Sequence, residues 1–262
     1  IGISAAPSVA SDDKDLIAKA TAALRYAKMT GKNKSVLFNP DIHDQKVNDT
    51  ASDEMNMATI YALTAAIDAK DHYTFGHSQR VAQYATAIAK EAGARKEEIE
   101  LIRQASLLHD IGKIGIPDNI LNRPTRLTEE EFQVIKEHTV IGAEILKNIT
   151  LIDHVKEVAR SHHERYDGMG YPDGLKGEEI PLYARVIAIA DCYDAMKSRR
   201  IYRNPLGDEV IYNEISRNCG SQFDPKIAGV FLKMLNEGRV VIREDGKLAD
   251  KEDNLLNMLL KL

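Results

Sequence analysis

The residues with the clearest chemical potential are histidines and aspartates gathered in the middle of the chain. Six of the eight histidines lie between His77 and His163. His109 and Asp110 are adjacent in sequence, as are His162 and His163. Imidazole nitrogens and carboxylate oxygens are ligands that divalent transition metals accept readily. The cluster therefore indicates a metal site.

Apolar residues at helical spacing predict that several of these side chains point into a core. His138 lies three residues after Ile135, and Asp191 lies four residues after Ile187, so both fall on apolar helical stripes. A buried carboxylate without compensation costs on the order of several kcal/mol. Divalent metal ions would provide that compensation. The candidate metal ligands are His77, His109, Asp110, His138, His162, His163 and Asp191.

Two carboxylates and five imidazoles exceed what one ion needs, so we expect a two-metal site bridged by a carboxylate. Nitrogen and oxygen ligands without thiolates suit iron, manganese, zinc, cobalt or nickel better than calcium or magnesium. We expect iron or manganese first, with nickel, cobalt or zinc as alternatives. A single histidine on an apolar face is usually a satisfied core residue, but that interpretation would have to hold repeatedly here. His43, His72 and His154 lack such neighbours, and we interpret them as surface or packing residues.

The elements that must position this cluster are mainly helices. From about Asp53 onward, apolar residues recur every three or four positions. A capping box beginning at Thr128 opens a helix that carries Phe132, Ile135 and Ile145. Gly112 is expected to end the helix that leads into the His-Asp pair. The predicted fold class is therefore mainly α, a helical bundle around a buried two-metal site.

The first forty residues have a different pattern. A strand at 1–5, a helix that begins near Asp12 and a strand at 35–38 predict a strand–helix–strand unit. This unit is too small to stand alone as a domain. At the other end, the apolar residues 255–260 predict a short helix that packs on the chain or forms a dimer contact.

Composition narrows the class of protein. The net charge of −5 argues against a uniformly basic, nucleic-acid-coating surface, so we expect no DNA partner. With 44% hydrophobic and 29% charged residues, the chain is typical of soluble globular proteins. Two cysteines do not form a disulfide framework, and no apolar run reaches the length of a membrane span. We expect a cytoplasmic fragment without membrane contact, cut from a longer protein whose missing N-terminal part could lie at a membrane.

Six stretches of sequence complete the identification of a family. They include the pair His109-Asp110 and the run Gly170-Tyr171-Pro172. Together, and in this order, they closely resemble the HD-GYP domain, a subgroup of the HD superfamily of metal-dependent phosphohydrolases. The matching stretches are residues 71–81, 108–113, 138–142, 162–172, 191–196 and 220–225.

The resemblance implies a helical enzyme that hydrolyses cyclic di-GMP, a bacterial second messenger. It implies one metal held by His77, His109, Asp110 and Asp191. It implies a second held by Asp110, His138, His162 and His163, with Asp110 bridging. Some members bind a third ion through a Glu four residues before the first histidine. Tyr73 occupies that position here, so we expect two metals.

The same resemblance implies the groups that contact substrate. Lys113 would place its ammonium on a phosphate oxygen or the leaving group, whereas the simpler interpretation is a solvated lysine after a helix end. Arg200 and Arg203 match substrate-contacting positions, although alone they would be interpreted as a solvated basic face. Gly170, Tyr171 and Pro172 would form a wall of the pocket; the alternative is a purely structural turn. We expect catalytic roles for Asp110 and Lys113.

The N-terminal forty residues resemble the C-terminal third of a GGDEF domain. The predicted organisation is a GGDEF-like remnant at 1–40, a linker at 41–56 and an HD-GYP domain with its helical tail at 57–262. A GGDEF domain in cis or in trans is therefore an expected partner, and a homodimer is a further one.

The leading functional hypothesis is hydrolysis of cyclic di-GMP to pGpG and onward to GMP. Two neighbouring metals generate a hydroxide at neutral pH and clamp phosphoryl oxygens during in-line displacement. Hydrolysis of a mixed cyclic GMP-AMP dinucleotide is a first alternative. A catalytically silent nucleotide-binding or docking module is a second. The presence of every expected ligand, Lys113 and Tyr171 counts against silence.

Overall fold

The computed structural model describes most of the chain, and it divides the chain into two compact units, Ile1–Thr59 and Ile60–Leu262. Several residues discussed above lie outside the described part of the chain, namely His43, His72, Tyr73, Arg200, Arg203, the linker at 41–56 and the tail at 255–260. The described residues are 1–5, 11–29, 34–39, 59–71, 76–147, 154–198 and 204–240.

The first unit contains the predicted strand–helix–strand arrangement. Strand β1 (Gly2–Ile3) pairs in parallel with β2 (Val36–Leu37), and helix α1 (Asp13–Met29) connects them. Acidic residues occupy the first turn of α1, where they complement the positive end of the helix dipole. The strands are shorter than the stretches that predicted them, but the order of elements is confirmed.

The second unit is helical, as the sequence predicts. Helix α3 packs against α4 and α8, and α6 packs against α7. In the part of the chain that the structure describes, the helices are α2 at 59–70, α3 at His77–Glu91, α4 at Lys96–Leu108, α5 at Asp118–Leu121, α6 at Glu129–Leu146, α7 at Val155–Ser161, α8 at Leu182–Lys197, α9 at Asp208–Arg217 and α10 at Pro225–Asn236. Two 3-10 helices lie at Ile111–Gly115 and Gly177–Glu179.

Gly112 does not end helix α4, contrary to the sequence-based expectation. The helix ends at Leu108, and Gly112 lies inside the 3-10 helix that follows. A methyl group on Gly112 would lie 1.8 Å from the carbonyl oxygen of His138 and 2.5 Å from the amide nitrogen of Gly142. Glycine is therefore required for close approach, because it lets the turn after α4 press against the backbone of α6.

Helix α6 begins with the predicted capping box and buries His138 as predicted, but it leaves two of the expected apolar residues exposed. The hydroxyl of Thr128 accepts from the amide of Glu131, whose carboxylate accepts from the amide of Thr128. The expected apolar residues Phe132 and Ile145 are each 39% exposed. The buried positions are His138, Thr139, Gly142 and Leu146. The helix thus turns a partly polar face inward, toward the rest of the histidine cluster.

The exposure of His154 and the apolarity of the helices also bear on expectations from the sequence. His154 keeps 56% of its side chain exposed, which confirms it as a surface residue. Within the described residues, none of the helices combines the length and apolarity that crossing a bilayer requires.

Gly112 provides a test of this packing. Replacing Gly112 with alanine is expected to lower the free energy of unfolding by about 3 kcal/mol or more, because the new methyl group meets backbone atoms that cannot move aside. Chemical denaturation monitored by circular dichroism measures this change.

The matched control is Gly229→Ala in helix α10, where a methyl group would meet nothing within 4 Å. That substitution should raise the free energy of unfolding by roughly 0.5–1 kcal/mol, because alanine favours helix interiors. Equal stability of the two variants would contradict the close approach of the turn to α6.

Candidate metal centre

The seven expected ligands come from separate elements that converge on one point. His77 is the first residue of α3 and follows Gly76, whose left-handed φ of 70° turns the chain into the helix. The other ligands lie at or near helix ends, except for two within helices. His109 and Asp110 directly follow α4, His162 and His163 directly follow α7, His138 lies within α6, and Asp191 lies within α8.

These side chains form two groups that could each hold a metal ion. Within each group, one ligand atom from every residue lies within 4.8 Å of the others. Asp191 keeps 21% of its side chain exposed, so the cluster reaches solvent on that side. The first group is His77, His109 and Asp191, and the second is Asp110, His138, His162 and His163.

Asp110 lies between the two groups and faces both. Its Oδ2 atom is 3.4 Å from His109 Nε2 and 3.9 Å from His77 Nε2. Its Oδ1 atom is 3.4 Å from His138 Nε2 and 3.8 Å from His162 Nε2. One carboxylate therefore directs one oxygen at each group, which is the arrangement that the sequence predicted for a bridging ligand.

Hydrogen bonds at Nδ1 fix which nitrogen of each imidazole faces the cluster. The Nδ1 atoms of His109, His138 and His162 contact the backbone carbonyls of Ser106, Ile135 and Ala159 at 2.7, 2.6 and 3.0 Å. A carbonyl oxygen only accepts, so Nδ1 must be the protonated nitrogen in each ring. The lone pair at Nε2 is then directed into the cluster, as a metal ligand requires.

The buried nitrogens fit a metal better than they fit one another. His109 Nε2 is buried and has no hydrogen-bond partner among the described residues. His138 Nε2 and His162 Nε2 lie 3.3 Å apart. With both rings protonated at Nδ1, two lone pairs face each other and repel unless a cation lies near both. The donor set thus fits divalent transition metals.

The direction of the pKa shift at three of the histidines agrees with this. Burial lowers the pKa of His163 to about 4, and burial also lowers the pKa of His162 and His138. These rings are therefore neutral at pH 7 and available as ligands. His77 differs. Burial opposes its protonation, but hydrogen bonds to two aspartates outweigh burial and raise its pKa to about 9.

Lys113 lies against the carboxylate of Asp110, with only 17% of its side chain exposed, rather than in solvent. Its ammonium lies 2.8 Å from Asp110 Oδ2 and 2.9 Å from Asp71 Oδ2. Burial opposes the charge, but these two carboxylates raise the lysine pKa above its ordinary value. Burial also opposes ionisation of Asp110, but Lys113 and the neighbouring histidines hold its pKa well below the ordinary value. The interpretation of Lys113 as a solvated residue is therefore wrong.

The loop that carries Gly170, Tyr171 and Pro172 lies against the second group of ligands. The ring of Tyr171 stacks on His163 with centroids 5.0 Å apart and an interplanar angle of 30°. Lys136 and Phe132 of helix α6 contact the same ring, at 5.4 Å from Nζ to its centroid and at 6.3 Å between centroids. The ring of Tyr171 therefore holds this loop beside the second group of candidate ligands.

A buried carboxylate that sequence reasoning left without a role holds this loop. Glu164 accepts hydrogen bonds from the amides of Asp173, Gly174 and Leu175, at 2.7, 3.1 and 3.1 Å. A methyl group on Gly170 would lie 2.5 Å from Glu164 Cα, so the loop folds directly onto the residue after His163. The only sequence signal was the position of Glu164 inside the quoted stretch 162–172.

Three further residues beside the cluster were also missed. Asp71 contacts Lys113, Asp194 contacts His77 Nδ1 at 2.7 Å, and Arg80 contacts Asp194. The available signal was helical spacing, because Asp194 lies three residues after Asp191 and Arg80 three after His77.

Comparison with known proteins identifies a family and several relatives of this chain. A family model described as HD domain matches residues 62–227. A cyclic di-GMP phosphodiesterase of Thermotoga maritima is 44% identical over 178 residues, or 67% of this chain and 48% of that protein. A 3'3'-cGAMP-specific phosphodiesterase 2 of Vibrio cholerae is 39% identical over 186 residues, or 70% of this chain and 36% of that protein.

A solved structure shares the fold. An HDG"Y"P protein from Bdellovibrio bacteriovorus matches with a TM-score of 0.53 at 19% identity, over 88% of this chain and 74% of that one. The chain spans less than half the length of the two curated relatives above. The family model, however, covers more than half of the 262 residues and includes every candidate metal ligand. The chain therefore belongs to the HD domain family.

Proposed function

We propose that this chain is a metal-dependent phosphodiesterase that hydrolyses cyclic di-GMP to pGpG and onward to GMP. The observation that carries the proposal is the pair of ligand groups that meet at Asp110. Relatives named cyclic di-GMP phosphodiesterases support the choice of substrate. We also propose the HD-GYP subgroup, which rests on the ordered motifs and on the packing of Tyr171 beside the cluster.

Two divalent transition metal ions fit the site, with iron or manganese preferred. His77, His109, Asp110 and Asp191 would hold one ion. Asp110, His138, His162 and His163 would hold the other. When bound, such ions activate a water nucleophile and stabilise charge on phosphoryl oxygens.

The remaining groups orient the substrate. Lys113 carries a positive charge beside the bridging carboxylate, where it would neutralise a phosphate oxygen or the leaving group. Tyr171, stacked on His163, would bound the pocket together with Gly170 and Pro172. Arg200 and Arg203 are proposed to bind phosphate or guanine edges, because a guanidinium donates two parallel hydrogen bonds.

The wider organisation is also a proposal. Residues 1–40 would be the remnant of a GGDEF domain, joined by 41–56 to the hydrolase at 57–262. The strand–helix–strand order of the first unit supports this assignment. A GGDEF domain and a second copy of the chain would be the partners, and the cytoplasm would be the compartment.

Removal of a ligand tests the metal-dependent function. His109→Ala and Asp110→Ala should each reduce kcat at least about 100-fold, since they remove donors on which the bound ions depend. The measurement is a chromatographic assay with cyclic di-GMP under anaerobic Fe(II) and, separately, Mn(II), together with metal content.

His154→Ala is the matched control, because His154 is exposed and outside both groups. It should keep the activity and metal content of the unmodified protein. Turnover by Asp110→Ala at the unmodified rate would overturn the proposal, as would a filled metal site that turns over neither dinucleotide.

The hydrogen bonds of Glu164 to the loop give a second prediction. Glu164→Gln should lower kcat/KM roughly 5- to 100-fold, because an amide leaves at least one of three partly buried backbone donors without its carboxylate oxygen. Because the loop would contact substrate while the metal ligands stay in place, the loss should fall mainly on KM. Steady-state kinetics with Mn(II) separates the two parameters.

Glu178→Gln is the control for that substitution, since Glu178 is an exposed glutamate whose partner is Lys226 on the surface. It should leave both parameters unchanged. An unaltered KM in Glu164→Gln would contradict a role of the loop in substrate binding.

A mixed cyclic GMP-AMP dinucleotide is the second candidate substrate, favoured by relatives named 3'3'-cGAMP-specific phosphodiesterases. Competition between the two dinucleotides gives the ratio of their kcat/KM values directly. We expect cyclic di-GMP to be preferred. A ratio in favour of the mixed dinucleotide would reassign the substrate while leaving the metal-dependent chemistry in place.

A further inference from the structure

Asp194 is a buried carboxylate that contacts one candidate ligand, His77. It lies three residues after Asp191 on helix α8, and 1% of it is exposed. Its Oδ2 atom is 2.7 Å from His77 Nδ1. The opposite nitrogen of the ring, Nε2, is 3.2 Å from Asp191 Oδ1. Asp194 therefore lies behind the ring, on the side away from the candidate ligands.

This contact distinguishes His77 from three other imidazoles of the cluster. His109, His138 and His162 use Nδ1 on backbone carbonyls of the preceding helical turn. His77 is the first residue of its helix, so it has no preceding helical turn to supply a carbonyl. A side chain from another helix takes that place, and it carries a negative charge.

Asp194 is itself held in one orientation. Arg80 Nε donates to Oδ1 at 2.7 Å, and Arg80 Nη2 donates to Oδ2 at 3.0 Å. This bidentate pairing fixes the plane of the carboxylate. Ser198 Oγ contacts both Asp194 Oδ2 and Arg80 Nη2 at 3.2 Å. The guanidinium also compensates the buried negative charge, which would otherwise be costly.

We propose that Asp194, held by Arg80, is a positioning residue that determines whether the first group, His77 with His109 and Asp191, retains its metal ion. The proposal rests on the proposed metal-dependent function. A carboxylate behind an imidazole fixes the ring orientation, directs the lone pair at Nε2 toward the ion and strengthens it as a donor. The second group has backbone carbonyls in this role, so it depends on Asp194 much less.

Asp194→Asn tests the proposal with Mn(II) as the probe. The amide keeps the shape of the side chain and removes its charge. In calorimetric titration, one of the two Mn(II) ions should bind about 10- to 100-fold more weakly, with the other unchanged. In electron paramagnetic resonance, the signal of coupled Mn(II) pairs should give way to that of isolated ions at the same loading.

Asp208→Asn is the matched control. Asp208 is an exposed aspartate at the start of helix α9, and it pairs with Lys197, the last residue of helix α8. It should bind both ions as the unmodified protein does. Two ions bound with unchanged affinity in Asp194→Asn would overturn the positioning role and leave the two-metal centre intact. An unmodified protein that binds fewer than two ions would instead refute the two-metal centre.

Arg80→Lys covers the case in which Asp194→Asn does not fold, as judged by circular dichroism. The lysine keeps the compensating charge but loses the bidentate contact, so the carboxylate is free to rotate. The same single ion should then bind more weakly than in the unmodified protein. Unchanged binding of both ions in folded Arg80→Lys would overturn the proposal.

Discussion

Asp110 is a carboxylate enclosed by protein, with imidazoles facing both of its oxygens, and the surrounding structure is organised by the need to satisfy it. Burial disfavours its charge, yet Lys113 and the neighbouring histidines keep it ionised. The opposing lone pairs of His138 and His162 add a second demand, because two neutral imidazoles that are both protonated at Nδ1 have no proton to share between their Nε2 atoms. Cations satisfy both demands together, which is why a cluster so unsuited to an ordinary core is coherent as a metal centre.

Close packing of backbone makes this cluster possible. His109 and Asp110 leave the end of helix α4 and turn at once into a 3-10 helix that presses on α6. Without a side chain at Gly112, His138 and Asp110 can approach from different elements. The contact at α6 also explains the exposure of Phe132 and Ile145. The face of the helix that meets Gly112 and the cluster must be the one that carries His138, even though other faces are more apolar.

The sequence predicted the candidate ligands that the structure brings together, but it did not predict the side chains that lie behind them. Types and spacing alone predicted a two-metal cluster of histidines and aspartates, and the resemblance divided the ligands into the two groups that the structure brings together. Periodicity predicted helices and the capping box at Thr128. Periodicity could place Asp194 on the same helix face as Asp191, but it could not predict that Asp194 contacts His77 or that Glu164 contacts the loop, because folding brings these partners together. The sequence favoured a functional role for Lys113 over a solvated lysine, but it could not predict the contact with Asp71, a carboxylate that only folding brings near.

Three consecutive residues after helix α7 contact two different parts of the protein, the histidine cluster and the loop of Tyr171. His162 and His163 face the metal cluster, whereas Glu164 grips the loop of Tyr171, which in turn lies on His163. A shift of the backbone at these residues would therefore move both the candidate ligands and the loop. Thermodynamic linkage then makes the effect mutual: a molecule that steadies the loop would tighten the hold on metal by the same factor by which metal tightens the hold on that molecule. The concentration of available metal would in this way affect the affinity of the loop for a molecule that binds to it.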